Sequence, residues 1–297
     1  MFRFEKRNQY KIIASLFLTM LINNPAKSSE DLVSSKKNLS TKLHTINILS
    51  LDCTESGDVA QLDLLDKVSQ KTGLAVWEMF DMIGGVSYSA LASVALSNPS
   101  FYGDGLVIGH LKEDFSKKHN HQKADAIAEM ASTRFGDSTF DQSKTDTIVF
   151  TYNLDGGNLE TFKSWDRNHK FPNSQIAQAL TACPTYTDSF GVYGTTDSKN
   201  QAKGYFALSD AKTLIKNPAA LILQAAYERY PDCQYNIISL SSGTVNPDRS
   251  LWDQAEAVNV FLTMRSDKKH TFYMRCDLTK PIKDSQLSLL VERLTRK

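Results

Sequence analysis

Residues 80–90 constrain the fold more than any other stretch: Phe80-Asp81-Met82-Ile83-Gly84-Gly85-Val86-Ser87-Tyr88-Ser89-Ala90. A buried strand pattern runs into two glycines and a serine. A small-residue helix then follows over Ser89 to Leu96. This is the layout of a nucleophile elbow, in which a tight strand-to-helix turn lifts the serine Oγ above the sheet edge. The turn also aims the positive end of the following helix at any oxyanion that forms there. Strand and helix nearly touch at such a turn, so the positions two residues either side of Ser87 must be small. Gly85 and Ser89 meet that demand, and Val86 and Tyr88 complete the elbow. Read alone, the segment also fits an ordinary strand–glycine–helix connection with a solvent-facing serine.

The rest of the chain repeats the strand–helix alternation. Thr45 to Leu51 and Tyr235 to Leu240 are short aliphatic runs that predict buried strands. Val59 to Lys71 places Leu62, Leu65 and Val68 at helical spacing, with Thr72-Gly73 as the stop. Residues 110–140 are charged and mostly helical in pattern. Thr147 to Asn153 and Leu159 to Trp165 flank Asp155-Gly156-Gly157, a hairpin signal. Ser174 to Ala182, Ala219 to Tyr230 and Leu251 to Met264 read as helices, Thr271 to Leu278 as a strand, and Tyr186 to Lys203 as an irregular loop. Strands alternating with helices imply a three-layer α/β/α fold around a mainly parallel central sheet. No internal boundary interrupts residues 45–297, which read as one domain.

The amino end has a different character. Arg3, Lys6, Arg7 and Lys11 precede the apolar run Ile12 to Ile22, and Ala26-Lys27-Ser28 supplies small residues before a cut at Ser29. This is the plan of a secretory signal over residues 1–28, and the run is shorter than the roughly 20 residues of a spanning helix. Residues 29–44 are a polar linker. The expectation is a secreted or periplasmic protein, with membrane association through the apolar segment as the alternative. A net charge of +1 argues against binding nucleic acid through its phosphates. Cys53, Cys183, Cys233 and Cys276 show no C-x-x-C spacing, so they are either one or two disulfides or isolated thiols. His119 and His121 offer too few donors for a metal site. No metal or cofactor is called for, and nothing signals an oligomer.

Several segments together resemble the patatin-like phospholipases. Asn47-Ile48-Leu49-Ser50-Leu51-Asp52, 35 residues before Ser87, is similar to the family's L-S-L-D-G-G-G-x-R-G, and Phe80 to Ala90 to its F-D-x-I-A-G-T-S-T-G-G. Arg134-Phe135-Gly136-Asp137, Ala179 to Tyr186, Asp210 to Pro218 and Ile237 to Thr244 follow in the family's order and spacing. The likeness covers about residues 45–280. It implies a Ser–Asp dyad, with Ser87 as the nucleophile and Asp210 as the base that orients and deprotonates it. It further implies a lipid or acyl-ester substrate, met at a membrane surface, and a reaction of the phospholipase A or esterase type.

The departures from the family fall in one place. Its glycine-rich oxyanion loop is here Asp52-Cys53-Thr54-Glu55-Ser56-Gly57-Asp58. Cys53, Thr54 and Glu55 stand where glycines are expected, and Gly57 where an arginine is. Glycines allow the positive φ that lets backbone N–H groups converge on an oxyanion, and a β-branched Thr54 resists it. Losing one such donor costs about 10²–10³ in rate. Two readings follow: a slow lipid acyl hydrolase, or a catalytically impaired member acting as a lipid-binding or protein-interaction module. Cys53 beside the site is a further candidate nucleophile, set against a loop thiol that replaces a glycine.

Overall fold

The structure is a computed structural model that describes residues 43–54, 59–98, 107–116, 123–166, 170–182, 190–195, 202–241, 249–266 and 271–295. The expected signal segment 1–28, nearly all of the expected linker 29–44, Glu55, Ser56, Gly57, His119, His121 and Cys183 lie outside the described residues. By internal contacts the chain divides into Met1–His44 and Thr45–Lys297. Every strand and helix described belongs to the second unit. None of these helices is long and apolar enough to cross a membrane.

Eight strands form one sheet: β1 (Thr45–Thr54), β2 (Met82–Ser87), β3 (Asp146–Asn153), β4 (Asn158–Lys163), β5 (Phe190–Thr195), β6 (Ala202–Asp210), β7 (Gln234–Ser241) and β8 (Thr271–Asp277). Their order is β5-β6-β3-β2-β1-β7-β8, with β4 paired to β3. Strands β3, β2, β1, β7 and β8 run parallel, while β4, β5 and β6 are joined by antiparallel pairs. The sheet is therefore mixed but mainly parallel. Its central strands are buried on both faces: Ile46, Ile48, Leu49 and Leu51 of β1 are all buried, and so are the polar Asn47 and Ser50 among them.

Nine helices are described: α1 (Ala60–Thr72), α2 (Val76–Met79), α3 (Tyr88–Ser97), α4 (Val107–Ser116), α5 (Lys123–Phe135), α6 (Asn173–Thr181), α7 (Ala219–Arg229), α8 (Arg249–Arg265) and α9 (Asp284–Thr295). Successive residues of a strand face opposite ways, and the two glycines of β2 show which helix covers which face. A Cβ on Gly84 would lie 2.7 Å from Cδ1 of Ile222 in α7. A Cβ on Gly85 would lie 2.7 Å from the carbonyl oxygen of Ser89 in α3. Helices thus cover both faces, giving three α/β/α layers. On the α3 side, Leu62, Leu65, Leu91, Leu290 and Leu294 join Leu49, Leu51, Ile83 and Ile238 in one cluster. All ten residues of α3 are buried, which its alanines and serines permit.

Three local expectations need correction. Trp77 to Ile83, expected to lead straight into Gly84-Gly85, begins inside helix α2 (Val76–Met79), whose last carbonyl accepts from the Asn47 side chain. The loop expected over 186–203 contains β5 and the first residues of β6; pairing along the sheet edge overrides a Gly- and Lys-containing sequence of weak strand propensity. Strand β1 runs to Thr54, so Cys53 and Thr54 are strand residues and not loop residues. By contrast, Asp155-Gly156-Gly157 is the turn between β3 and β4. The Asn153 carboxamide oxygen accepts from the N–H groups of Asp155 and Gly156, and Gly157 takes φ 63°.

Candidate functional site

Strand β2 ends at Ser87, which takes φ 63° and ψ −135°. A non-glycine residue with positive φ is strained by of order 1–3 kcal/mol, and such strain clusters at functional sites. The strain is imposed from both sides. Upstream, Met82 to Val86 is held parallel to Asp146 to Phe150 of β3. Downstream, α3 starts at once with Tyr88, whose ring packs edge-on against Phe115 at 6.1 Å. Only a glycine fits at position 85, since a Cβ would meet three backbone atoms of Ser89 and Ala90 within 2.9 Å. Ser89, in place of the expected glycine, is used: its Oγ donates to the Asp52 carbonyl at 2.6 Å and lies 2.9 Å from the Gln61 side-chain oxygen. That ties α3 to β1 and α1.

The strand pairing explains how Asp210 reaches Ser87. Along one edge of β3, β2 pairs as far as Val86↔Phe150. Strand β6 takes over at the next position, with Asp210↔Thr151. Strand β4 spans Ile148 to Asn153, so it occupies the other edge. Two strands therefore share one edge of β3 end to end, and Ser87 and Asp210 are the residues at the junction. The Ser87 hydroxyl donates to Asp210 Oδ2 at 2.7 Å. The other carboxylate oxygen accepts the Lys212 N–H at 2.9 Å, and the Asp210 N–H is held by the Ala182 carbonyl. Ser87 is 0% exposed and Asp210 3%. Burial pushes the Asp210 carboxyl from 3.8 up to about 6, against the pull of the Ser87 hydroxyl and of Lys212 and Lys216.

Beside this pair, β1 carries a bulge. Leu51 sits opposite Gly85 and Thr54 opposite Ser87, so β1 spends one residue more than β2. The bulge contains Asp52 and Cys53. Asp52 accepts from an Arg275 guanidinium N–H and, at 3.3 Å, from the Ser239 hydroxyl. Burial outweighs that pairing and holds its carboxyl up at about 6. The Cys53 N–H donates to the Lys216 carbonyl at 2.9 Å. Burial, with Asp210 next in strength, pushes the Cys53 thiol up to about 12, so this thiol is not poised as a nucleophile. Of the expected oxyanion segment, then, the described part is strand, and one of its N–H groups is already bonded.

A cavity of about 370 Å³ lies away from Ser87, between α8 and strands β7 and β8. Ser241, Glu256, Asn259, Tyr273, Arg275 and Asp277 line it, and Arg275 links it to the bulge through its pair with Asp52. Among the described residues no cluster of His, Cys, Asp and Glu is placed to hold a metal, and Cys53, Cys233 and Cys276 are in no disulfide.

Sequence reasoning missed Gln61, Lys216 and Arg275. The signal for Arg275 was a cation inside the strand pattern Thr271 to Asp277, which demands a buried partner. Lys216 directly follows the aliphatic pair Leu214-Ile215.

No family model and no curated protein matches the chain. Among solved structures it is similar to VipD from Legionella pneumophila. The identity is 11% and the TM-score 0.36, over 84% of this chain and 67% of that one. A likeness at this level carries no argument about chemistry.

Proposed function

We propose that the chain is a serine acyl-ester hydrolase acting on lipid esters, with Ser87 and Asp210 as its dyad. The observation behind this reading is a strained serine at a strand-to-helix turn, 2.7 Å from a buried carboxylate. A serine hydroxyl is a weak nucleophile until a neighbouring base takes its proton. A carboxyl held at about 6 is ionised at neutral pH yet basic enough to accept that proton. In the first half-reaction, Oγ bonds to the acyl carbon while its proton passes to Asp210, and the carbonyl π pair moves onto oxygen. Collapse of that oxyanion expels the alcohol, which leaves with the proton from Asp210. Water then repeats the sequence on the acyl-enzyme and releases the carboxylic acid. The resemblance of residues 45–280 to patatin-like phospholipases supports lipid esters as the substrate class, and the pattern of residues 1–28 supports export.

A second reading, an impaired module that binds lipid or protein, draws on the Cys53 N–H being bonded to Lys216 and not open to an oxyanion. One experiment separates the two: a fluorophosphonate label, read by mass spectrometry, with p-nitrophenyl ester turnover alongside. Labelling at Ser87 that disappears in Ser87→Ala and falls at least 10²-fold in Asp210→Asn is expected. A folded wild type that neither labels nor turns over ester refutes the hydrolase.

A further inference from the structure

Where β6 takes over from β2 along the edge of β3, Asp210 sits directly opposite Thr151. The ladder around that pair fixes its geometry. The Leu154 N–H donates to the Ala207 carbonyl, and the Asp210 N–H turns outward to the Ala182 carbonyl. Hydrogen-bonded and open pairs alternate in an antiparallel ladder, so Thr151 and Asp210 form an open pair, with Cα atoms about 4.5 Å apart. On the other edge of β3 the Ser164 N–H donates to the Thr147 carbonyl. The same alternation makes Thr151 and Glu160 of β4 a hydrogen-bonded pair, with Cα atoms about 5.5 Å apart. Opposed residues project from one face of a sheet, and they come closest in open pairs. Thr151 therefore stands beside the Asp210 side chain and approaches it more closely than it does Glu160.

Thr151 is 0% exposed, and its hydroxyl has no hydrogen-bond partner among the described residues. A buried hydroxyl without a partner destabilises a fold, so a valine of the same shape would suit the resting protein better. The resting Asp210 does not draw on it. Ser87 donates to one carboxylate oxygen and the Lys212 N–H to the other. The reaction removes the first of these donors. Once the Ser87 Oγ carries an acyl group it has no proton, and the carboxylate oxygen it bonded loses that bond while still buried. The Ser87 hydroxyl is among the groups that pull the Asp210 carboxyl down against burial. Its loss pushes that carboxyl further up, toward the protonated form. A protonated Asp210 cannot take a proton from the water that attacks the acyl-enzyme.

We propose that Thr151 is a positioning residue for the second half-reaction: in the acyl-enzyme its hydroxyl turns to donate to the Asp210 carboxylate, taking over from Ser87. This rests on the acyl-transfer reading of Ser87 and Asp210. Rotation about the Thr151 Cα–Cβ bond redirects the hydroxyl. A carboxylate oxygen has two lone pairs, so the bond from Thr151 leaves one for the attacking water. The water oxygen bonds to the acyl carbon, its proton passes to Asp210, and the carbonyl π pair moves onto oxygen. Collapse breaks the bond from carbon to Oγ, Oγ takes the proton back from Asp210, and the free acid leaves. Ser87 then donates to Asp210 again. Lys212 and Lys216 are the cations that act on Asp210, and the step changes neither.

The test is stopped-flow turnover of p-nitrophenyl hexanoate by the full chain, in wild type, Thr151→Val and Thr151→Ser. The burst of nitrophenol reads acylation of Ser87, and the steady state that follows reads deacylation. In Thr151→Val the steady state should slow at least tenfold, the cost of one hydrogen bond to a charged group, while the burst rate stays within about twofold. Thr151→Ser, which keeps the hydroxyl, should recover to within about threefold of wild type. The apparent pKa of kcat should rise by about one unit in Thr151→Val, and that of kcat/KM should stay in place. Equal steady-state rates in wild type and Thr151→Val overturn the proposal, and so does an equal slowing of both phases, which a distorted site would produce. A folded wild type with neither burst nor fluorophosphonate labelling removes the hydrolase reading and the proposal with it. Should Thr151→Val fail to fold, the wild type decides. A crystal structure of its Ser87 phosphonate adduct should show the Thr151 Oγ1 within about 3 Å of an Asp210 carboxylate oxygen, and a hydroxyl still unbonded there refutes the proposal.

Discussion

Replacing Asp210 with asparagine should stabilise the protein, and by an amount that depends on pH in a specified way. An ordinary aspartate ionises at 3.8, and burial holds Asp210 at about 6. A raised carboxyl pKa means that the folded state binds the proton more tightly than the unfolded chain. The stability this contributes is complete below pH 3.8 and is lost as pH rises through 6. At 1.36 kcal/mol per pH unit, the loss amounts to roughly 3 kcal/mol above pH 7. Asparagine is nearly the same shape and escapes it. Its Oδ1 still accepts the Lys212 N–H, and its Nδ2 donates to the Ser87 Oγ where the carboxylate accepted. Any fixed cost of the swap is independent of pH, and Asp52, also held at about 6, is present in both proteins and cancels. The assay is thermal melting of wild type and Asp210→Asn from pH 4 to pH 8. The Tm of the variant minus that of wild type should rise through pH 6 by roughly 6–12 °C, at about 2–4 °C per kcal/mol for a chain of this size. A difference that stays flat across pH 6 refutes the reasoning, because it would mean that Asp210 ionises as it does in the unfolded chain. Under the hydrolase reading the same substitution suppresses Ser87 labelling, so stability and activity move in opposite directions.

Gly85→Ala places a Cβ against backbone atoms of Ser89 and Ala90 that cannot rotate away, so it should cost about 1–3 kcal/mol, read as a lower Tm. Gly109→Ala, in α4 with nothing within 4 Å of its new Cβ, is the matched control and should gain roughly 0.5–1 kcal/mol. Arg275→Met leaves Asp52 buried without its guanidinium partner and should cost about 3–5 kcal/mol at pH 8 by urea unfolding. That cost should shrink at pH 5, where Asp52 takes up a proton.

The sequence alone determined what depends on local chemistry. The alternation of aliphatic runs with helical spacing is legible because burial on both faces keeps β1, β2 and β7 mostly aliphatic, with polar side chains such as Asn47, Ser50, Asn236 and Ser239 themselves buried. The turn at Ser87 is legible because Gly85 and Ser89 are small where strand and helix touch. Asp155-Gly156-Gly157 is legible as a turn because Gly157 sits at φ 63°. The pairing of Ser87 with Asp210 was implied by resemblance, with no physical reason attached. Tertiary structure supplied that reason: β2 and β6 share one edge of β3, a juxtaposition of residues 123 positions apart that no local pattern encodes. It also decided the end of β1. Cys53 and Thr54 look like loop residues by composition, yet pairing with β2 carries the strand through a bulge to Thr54. The partners that settle the electrostatics there, Lys216 and Arg275, come from distant segments, 163 and 223 residues from Cys53 and Asp52. A buried charge finds its partner through packing and strand register, and both are set by the whole sheet at once.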